Sequence, residues 1–170
     1  LKEFGADVCR WWVAGLNFEN DIKADHGFFA VAGEGYRKVR NTLRFLLSNL
    51  FDFEPSEREE SGGHTVDLTQ FPAHSLDAWV LGEFNALSRC VVGAYERYDF
   101  RAAQTALYDF CNETLSAVYC AAVKDRLYCD RADSPRRRRT QTAMWMLVEG
   151  LSRLLGPILP HTAAATYRAV

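Results

Sequence analysis

The sequence predicts an all-α fold, an antiparallel helical bundle of four or five helices. Three observations support this prediction. Long segments carry apolar residues at spacings of three and four, capping residues precede several of them, and no run has the pattern of a parallel sheet. With 170 residues, of which 48% are hydrophobic, the chain can form one domain, 1–170, with a buried core.

The first two helices are predicted at about 2–16 and 26–49. Apolar residues of the first helix recur at helical spacing: Phe4, Val8, Trp11 and Trp12. The early part of the second helix contains three glycines, each of which weakens a helix by about 1 kcal/mol. These glycines therefore indicate close contact with a neighbouring element: Gly27, Gly33 and Gly35.

Segment 51–74 is predicted to be a long surface connection. It contains two prolines, a Gly-Gly pair and an acidic run, Glu57–Glu60, interrupted by Arg58. Residues of these types break helices and favour solvent, so we expect a loop here rather than a further core element.

Three further long helices follow, and a last helix begins near His161. The expected ranges are 76–98, 100–124 and 135–155. Their expected N-caps are Ser75, Asp99 and Ser134, the last of which precedes Pro135 at the first helical position. The predicted apolar line of the middle helix is Ala103, Leu107, Phe110, Thr114, Ala117 and Ala121.

Composition excludes several classes of function. The net charge of −2 means that any surface for nucleic acid must be local. No apolar run approaches the roughly 20 residues that span a bilayer, and no signal-peptide pattern is present. The five cysteines lack CxxC spacing and the four histidines are scattered, so we expect a reduced, cytoplasmic chain without a metal site. No phosphate loop, nucleophile elbow or HExxH motif occurs.

Segment 36–53, YRKVRNTLRFLLSNLFDF, is the most informative part of the chain. At about 100° per residue, one face of its helix collects apolar side chains: Val39, Leu43, Leu46, Leu47 and Leu50. The opposite face collects Arg37, Arg40, Asn41, Arg44 and Ser48, and no acid lies between Tyr36 and Phe51. Such a face is either a solvated surface or a site for a polyanion with regularly spaced phosphates.

A second basic region, 124–139, contains seven cations and three acids. Arg136 to Arg139 occupy the first turn of the helix predicted at 135–155. A helix N-terminus already carries about +0.5 charge, so this placement is expected to cost stability. Either an anionic partner compensates for it, or the arginines form a solvated corner with their stems over apolar neighbours. Lys124 and Arg126 would join the same patch if the preceding helix ends nearby.

The ends of the sequence indicate an excised piece of a longer protein. Residue 1 is Leu rather than Met, and the chain stops at Val170 within a helical pattern.

Four segments in this order resemble the isoleucyl-tRNA synthetase family, in the region that follows its catalytic nucleotide-binding domain. They are FGADVCRWWVAG (4–15), the helix 36–53, KDRLYC (124–129) and GPILPHTA (156–163). The pattern RNTxRFLLxNL at 40–50 is the most specific part. The sister valyl and leucyl enzymes share the GAD-type opening and the bundle but match this pattern less well, and they remain the alternative.

The resemblance implies an all-helical anticodon-binding domain of the class I synthetase type, which receives the anticodon stem and loop of a tRNA. In the family, the parent enzyme joins isoleucine to its tRNA with ATP, and many bacterial members carry zinc in a C-terminal extension. The HIGH-type and KMSKS-type motifs and the editing domain are absent from this chain. We therefore expect the fragment to use no cofactor and to lack ligase activity on its own.

Together, the residues and the resemblance predict a binding surface for the isoleucine tRNA anticodon stem-loop. The principal residues are Arg37, Arg40, Asn41 and Arg44, and the secondary phosphate contacts are Lys124, Arg126, Arg136 and Arg137. We expect a monomer that binds neither DNA nor membrane. The alternative from another class is a helical scaffold whose basic face docks onto protein, either the parent's catalytic domain or another chain.

Overall fold

The computed structural model describes residues 4–19, 21–22, 24–54 and 68–170, and the described part of the chain contains helices and no strand. In chain order the helices are α1 (Ala6–Ala14), α2 (His26–Ser48), α3 (Leu76–Glu96), α4 (Phe100–Asp109), a π-helical segment (Phe110–Tyr119), α5 (Cys120–Ala122), α6 (Lys124–Tyr128), α7 (Pro135–Leu155) and α8 (Pro160–Arg168). The predicted all-α helical bundle is confirmed.

The core lies where α2, α3, α7 and the α4–π segment face one another. Its largest fully buried side chains come from all of these elements and from α1: Trp11, Leu43, Leu46, Leu81, Phe84, Leu107, Leu115, Tyr119, Met144, Leu147, Leu151 and Leu155. α3 and α7 approach especially closely, because Gly150 of α7 leaves room for the ring of Phe84. Burial of these side chains is the main source of stability for the bundle.

Helix α1 begins four residues later than predicted. Gly5, with φ of +78°, has the backbone conformation that favours glycine, and the helix starts only after it. Val8 and Trp11 of the predicted apolar line are buried. Trp11 also explains one glycine of α2, since a Cβ atom at Gly35 would lie 3.2 Å from the Trp11 Nε1 atom.

The starts of α2, α3, α4, α7 and α8 agree with the sequence prediction. The carboxylates of Asp25 and Asp99 accept backbone N–H bonds at the starts of α2 and α4, and the Ser75 hydroxyl does the same for α3. Helix α7 has the predicted bounds, with Pro135 at its first turn. Ser134 occupies the N-cap position, but its hydroxyl contacts the carboxylate of Asp130 and makes no capping bond.

The helix predicted at 100–124 is wrong in its second half. After Asp109 the backbone widens into the π-helical segment, and Val123 separates two short helices. The wider turn rotates the inward face, so Cys111, Leu115 and Tyr119 are buried in place of the predicted Thr114, Ala117 and Ala121. Thr42 of α2 donates a hydrogen bond of 3.3 Å to the carbonyl oxygen of Cys111, within the first turn of this segment.

The connection between α2 and α3 was predicted at 51–74. The described parts of it, 51–54 and 68–74, contain turns, and Phe71 packs into the core. The acidic run Glu57–Glu60 lies outside the described residues.

Asp7 of α1 holds the start of α8 in place. Leu159, the N-cap residue of α8, has no side-chain acceptor, and the Asp7 Oδ2 atom accepts bonds from the Thr162 amide (2.7 Å) and the Thr162 hydroxyl (2.6 Å) instead. The Tyr36 hydroxyl in turn donates to the Thr162 hydroxyl oxygen at 2.9 Å. The Asp7 carboxylate therefore links α1 to α8, and Tyr36 connects α2 to the same threonine. The carboxylate also satisfies an N–H group at the positive end of α8.

Replacement of Asp7 by Ala is expected to lower the free energy of unfolding by about 1–2 kcal/mol, the usual cost of losing a helix cap. Urea denaturation followed by circular dichroism measures the change. Asp21→Ala is the matched control, because Asp21 is exposed in the α1–α2 connection. Equal stability of the two variants would contradict the capping role of Asp7.

Candidate nucleic-acid interface

The basic stripe, Arg37, Arg40, Asn41 and Arg44, lies on the solvent face of α2. All four side chains are exposed, while Val39, Leu43 and Leu46 on the opposite face are buried in the core. Since the inward face is packed against the bundle, the helix cannot rotate to bury the arginines. The stripe spans about 10 Å along the helix axis, at a rise of about 1.5 Å per residue.

Two arginines of the stripe have no acidic partner among the described residues, namely Arg40 and Arg44. Arg37 pairs with Glu34 one turn earlier, but both side chains are largely exposed. Exposed pairs of this kind contribute at most about 1 kcal/mol, so Arg37 can exchange the carboxylate for another anion at little cost. The stripe is therefore an exposed cationic surface with three available guanidinium groups.

Arg40 and Arg44 also line one side of a groove of about 740 Å³ between α1, α2 and α8. Its other walls include Tyr36, His161 and Thr162. The hydroxyls of Tyr36 and Thr162 already donate within the chain, so the groove offers a ligand the two guanidiniums and the His161 imidazole. Such a concave surface with polar donors suits a sugar–phosphate backbone better than a flat face does.

In the second basic region some cationic side chains are exposed to solvent, and others are paired with carboxylates of the same chain. Lys124 is exposed. Arg126 is directed inward, where its Nη1 atom lies 3.1 Å from the carboxylate of the buried Asp77. The hydroxyls of Tyr119 (2.8 Å) and Thr140 (3.2 Å) donate to the same carboxylate. Burial, together with the Asp77 charge, raises the pKa of Tyr119 well above its usual value, so Tyr119 stays protonated as a donor.

Arg136 remains at the surface but binds the carboxylate of Asp130 through two bonds, of 2.8 and 2.6 Å. The hydrogen bond from Arg136 lowers the pKa of Asp130. Because Arg136 is more than half exposed, it can still reach an external anion, in competition with Asp130.

Arg137 is buried and belongs to an internal network. Its two Nη atoms bind the Asp52 carboxylate at 2.6 and 3.1 Å, and its Nε atom donates to the carbonyl of Leu127. Arg138 donates to the Asp52 carbonyl oxygen at 2.6 Å, and Gln141 donates to the carboxylate at 2.7 Å. The hydrogen bond from Arg137, assisted by Gln141, lowers the pKa of Asp52 against the opposing effect of burial. We therefore assign Arg137 a structural role.

This network explains how the start of α7 accommodates two of its four arginines, Arg137 and Arg138. Asp52 follows the C-terminal end of α2, where a negative charge is also unfavourable. The guanidinium groups of Arg137 and Arg138 lie against the Asp52 carboxylate, so the opposite charges neutralise each other. Asp52 and Asp77 were not singled out from the sequence. The only sequence signal for Asp52 is that it is the first acid after Glu34.

Other chemistries find no support in the described part of the chain. No cluster of three or more potential metal ligands occurs among the described residues. All five cysteines are free thiols, and burial raises the pKa of both Cys111 and Cys120 to about 12, so these two stay protonated. No helix within the described ranges is both long and apolar enough to cross a bilayer.

Comparison with known proteins identifies the family to which the chain belongs. Residues 77–170 match the family described as the anticodon-binding domain of tRNA ligase, and the chain belongs to this family. Relatives match nearly the whole chain and are isoleucine–tRNA ligases. The enzyme from Carboxydothermus hydrogenoformans is 38% identical over 99% of the chain, that from Halalkalibacterium halodurans 38% over 100%, and that from Lactococcus lactis 37% over 98%.

These findings confirm the resemblance to isoleucyl-tRNA synthetases and the anticodon-binding fold class. The chain spans only 17–18% of the length of these three relatives. The matched family region begins at Asp77, so the basic stripe on α2 lies before it, within the part covered by the isoleucine–tRNA ligases.

Proposed function

We propose that the chain binds the anticodon stem-loop of an isoleucine tRNA through the basic stripe. The observation that carries the proposal is that Arg40 and Arg44 are exposed on one helix face, beside a groove, without an acidic partner among the described residues. Guanidinium groups bind phosphate through charge-assisted hydrogen bonds, and the adjacent Asn41 can meet a ribose hydroxyl or a base edge. Membership of the anticodon-binding family supports the choice of tRNA as the polyanion.

Of the four secondary residues, Lys124 and Arg136 are the ones that the geometry favours as further phosphate contacts. Both are exposed, whereas Arg126 and Arg137 bind the carboxylates of Asp77 and Asp52. Extraction of Arg126 would remove the cation paired with the buried Asp77 carboxylate, and extraction of Arg137 would remove the two-bond partner of Asp52. Removing one partner from such a pair costs several kcal/mol. We therefore propose that Arg126 and Arg137 shape the interface and do not touch RNA.

We further propose that 1–170 forms one domain of a longer, cytoplasmic isoleucine–tRNA ligase. The relatives that carry this name support the assignment. Ligation of isoleucine with ATP would belong to parts of such an enzyme that this chain does not contain, as would any zinc. The domain's role would be to hold the anticodon arm while the distant acceptor end reacts, and a monomer suffices for that role.

The double variant Arg40→Ala/Arg44→Ala is expected to raise the Kd for an isoleucine anticodon stem-loop about tenfold at 0.1 M salt. It should also reduce the slope of log K against log salt by about 1.5, because each phosphate contact contributes about 0.7–0.9 to that slope. Fluorescence anisotropy with labelled stem-loop RNA over a salt series measures both quantities.

The matched control is Arg89→Ala/Arg101→Ala, which removes the same charge at two exposed positions on α3 and α4. We expect this control to keep nearly the original affinity. Equal weakening by both double variants would indicate binding through net charge alone. Absence of salt-dependent RNA binding by the unmodified chain would refute the proposed function and favour the protein-docking scaffold.

A further inference from the structure

Phe51 is the exposed aromatic residue nearest in sequence to the basic stripe, and 82% of its surface is accessible. Its neighbours Leu50 and Phe53 are partly buried. An aromatic ring that projects into water loses the burial that normally stabilises it, so this placement contributes nothing evident to folding.

The backbone around Phe51 is held firmly. The Asp52 carboxylate is bound by Arg137 and Gln141, and the main-chain carbonyl oxygen of Asp52 accepts a hydrogen bond from Arg138. The Leu50 amide donates to the carbonyl of Leu47 in α2 at 3.0 Å, and the Phe53 amide donates to the Leu50 carbonyl at 3.0 Å. Both residues that flank Phe51 are therefore fixed to the bundle. A ring presented from such a turn pays little conformational entropy on binding a partner.

Phe51 also lies close in sequence to the cationic surface. Helix α2 ends at Ser48, and turns place Phe51 three residues beyond the helix, seven residues after Arg44. The next residue, Asp52, binds Arg137 at the start of α7. The exposed ring therefore lies where the C-terminal end of α2 meets the start of α7.

We propose that Phe51 is a stacking platform for an unpaired base of the RNA loop. The inference rests on the proposed function and assigns a base-contacting residue to it. Residues 37–48 extend over about 16 Å of helix, enough to follow several phosphates of a stem. A loop that continues past the end of α2 would meet the ring of Phe51. Stacking on an aromatic side chain is the usual way in which proteins hold splayed-out bases.

Two exposed aromatic residues elsewhere on the bundle serve as a contrast. Phe18, 84% exposed, and Tyr98 border a groove of about 1210 Å³ on the α1–α4 side of the bundle. Acidic residues line that groove alongside its arginines: Glu19, Asp99 and Asp109. The mixed charge disfavours a polyanion there. Phe18 is thus a matched control for Phe51, with the same side chain and nearly the same exposure.

The test uses an isoleucine anticodon stem-loop RNA with 2-aminopurine at one loop position at a time. Stacking of this base on Phe51 quenches its fluorescence at the position concerned. Phe51→Ala is expected to abolish the quenching and to raise the Kd about tenfold, since base–aromatic stacking contributes about 1–3 kcal/mol per base. The salt slope should not change, because no phosphate contact is lost. Phe51→Trp should restore both quenching and affinity, and Phe18→Ala should change neither.

The outcomes separate the two proposals. If Phe51→Ala keeps full quenching and affinity while Arg40→Ala/Arg44→Ala loses affinity, the assignment of Phe51 is wrong and the proposed function stands. If Phe51→Trp fails to restore binding, stacking is likewise refuted. If the unmodified chain shows no salt-dependent binding, both proposals fall together.

Discussion

Replacement of Arg137 by Ala is expected to lower the free energy of unfolding by about 3 kcal/mol. This is the lower end of the usual cost of removing one partner from a buried ion pair, because Asp52 is half-buried and keeps Arg138 nearby. The Arg137 side chain is only 7% exposed and satisfies both oxygens of the Asp52 carboxylate. Without it, Asp52 keeps weaker contacts from Arg138 and Gln141, and a cavity remains beside the Leu127 carbonyl. Chemical denaturation at neutral pH measures the loss.

The control for this variant is Arg139→Ala, two residues further along the same helix. Arg139 is exposed, so its loss should change stability by less than about 0.5 kcal/mol. Equal effects of the two substitutions would show that Arg137 contributes no more than a surface charge.

The pH dependence gives an independent check on the same pair. The pKa of Asp52 is lowered in the folded chain, so the unfolded chain binds a proton on this residue more readily. The stability from the pair is thus fully present above about pH 4 and is lost as the pH falls through the folded pKa. The gap in stability between the unmodified chain and Arg137→Ala should narrow below about pH 4. A constant gap down to pH 2 would contradict the ion pair as its source.

Replacement of Gly150 by Ala is expected to destabilise the chain by about 2 kcal/mol, although alanine is the better helix former. A Cβ atom at this position would lie 2.3 Å from Cζ and 2.8 Å from Cε1 of Phe84. The Phe84 ring is 1% exposed and sits within the core, so it can move only if α3 and α7 separate. Thermal or urea denaturation of the variant measures the net effect.

Gly82 provides the matched comparison, because it also lies inside a long helix. Its Cβ would meet only the Leu68 Cδ1 atom, at 4.0 Å. Gly82→Ala should therefore gain up to about 1 kcal/mol from helix propensity alone. If both alanine variants change stability in the same direction, the close approach of α3 and α7 does not control the effect.

The fold could be predicted largely from local patterns. The bounds of α2 and α7 and the predicted caps Ser75 and Asp99 agree with the structure, because apolar spacing and capping bonds act within a few residues along the chain. The π-helical segment was not predicted. Its inward face depends on a backbone register that only packing against α2 and α3 selects.

The basic stripe on α2 could be predicted from the sequence, but the environment of the arginines at the start of α7 could not. Exposure of Arg40 and Arg44 follows from the apolar face of α2, which directs them outward. The burial and the ion-pair partners of the arginines at 136–138 do not follow from any local pattern. Arg137 and Asp52 lie 85 residues apart in the sequence, and only the packing of α7 against the end of α2 brings them together.

The sequence by itself therefore determined the helical class, most helix bounds and the cationic face of α2, because these depend on interactions between near neighbours in the chain. Tertiary structure alone decided which cations are available to a partner. Arg126 and Arg137 are neutralised by carboxylates from distant segments, whereas Arg40 and Arg44 face solvent. Pairing between charges depends on their distance in space, not on their separation in the sequence. Some arginines therefore stabilise the fold, whereas others are available to bind an anion.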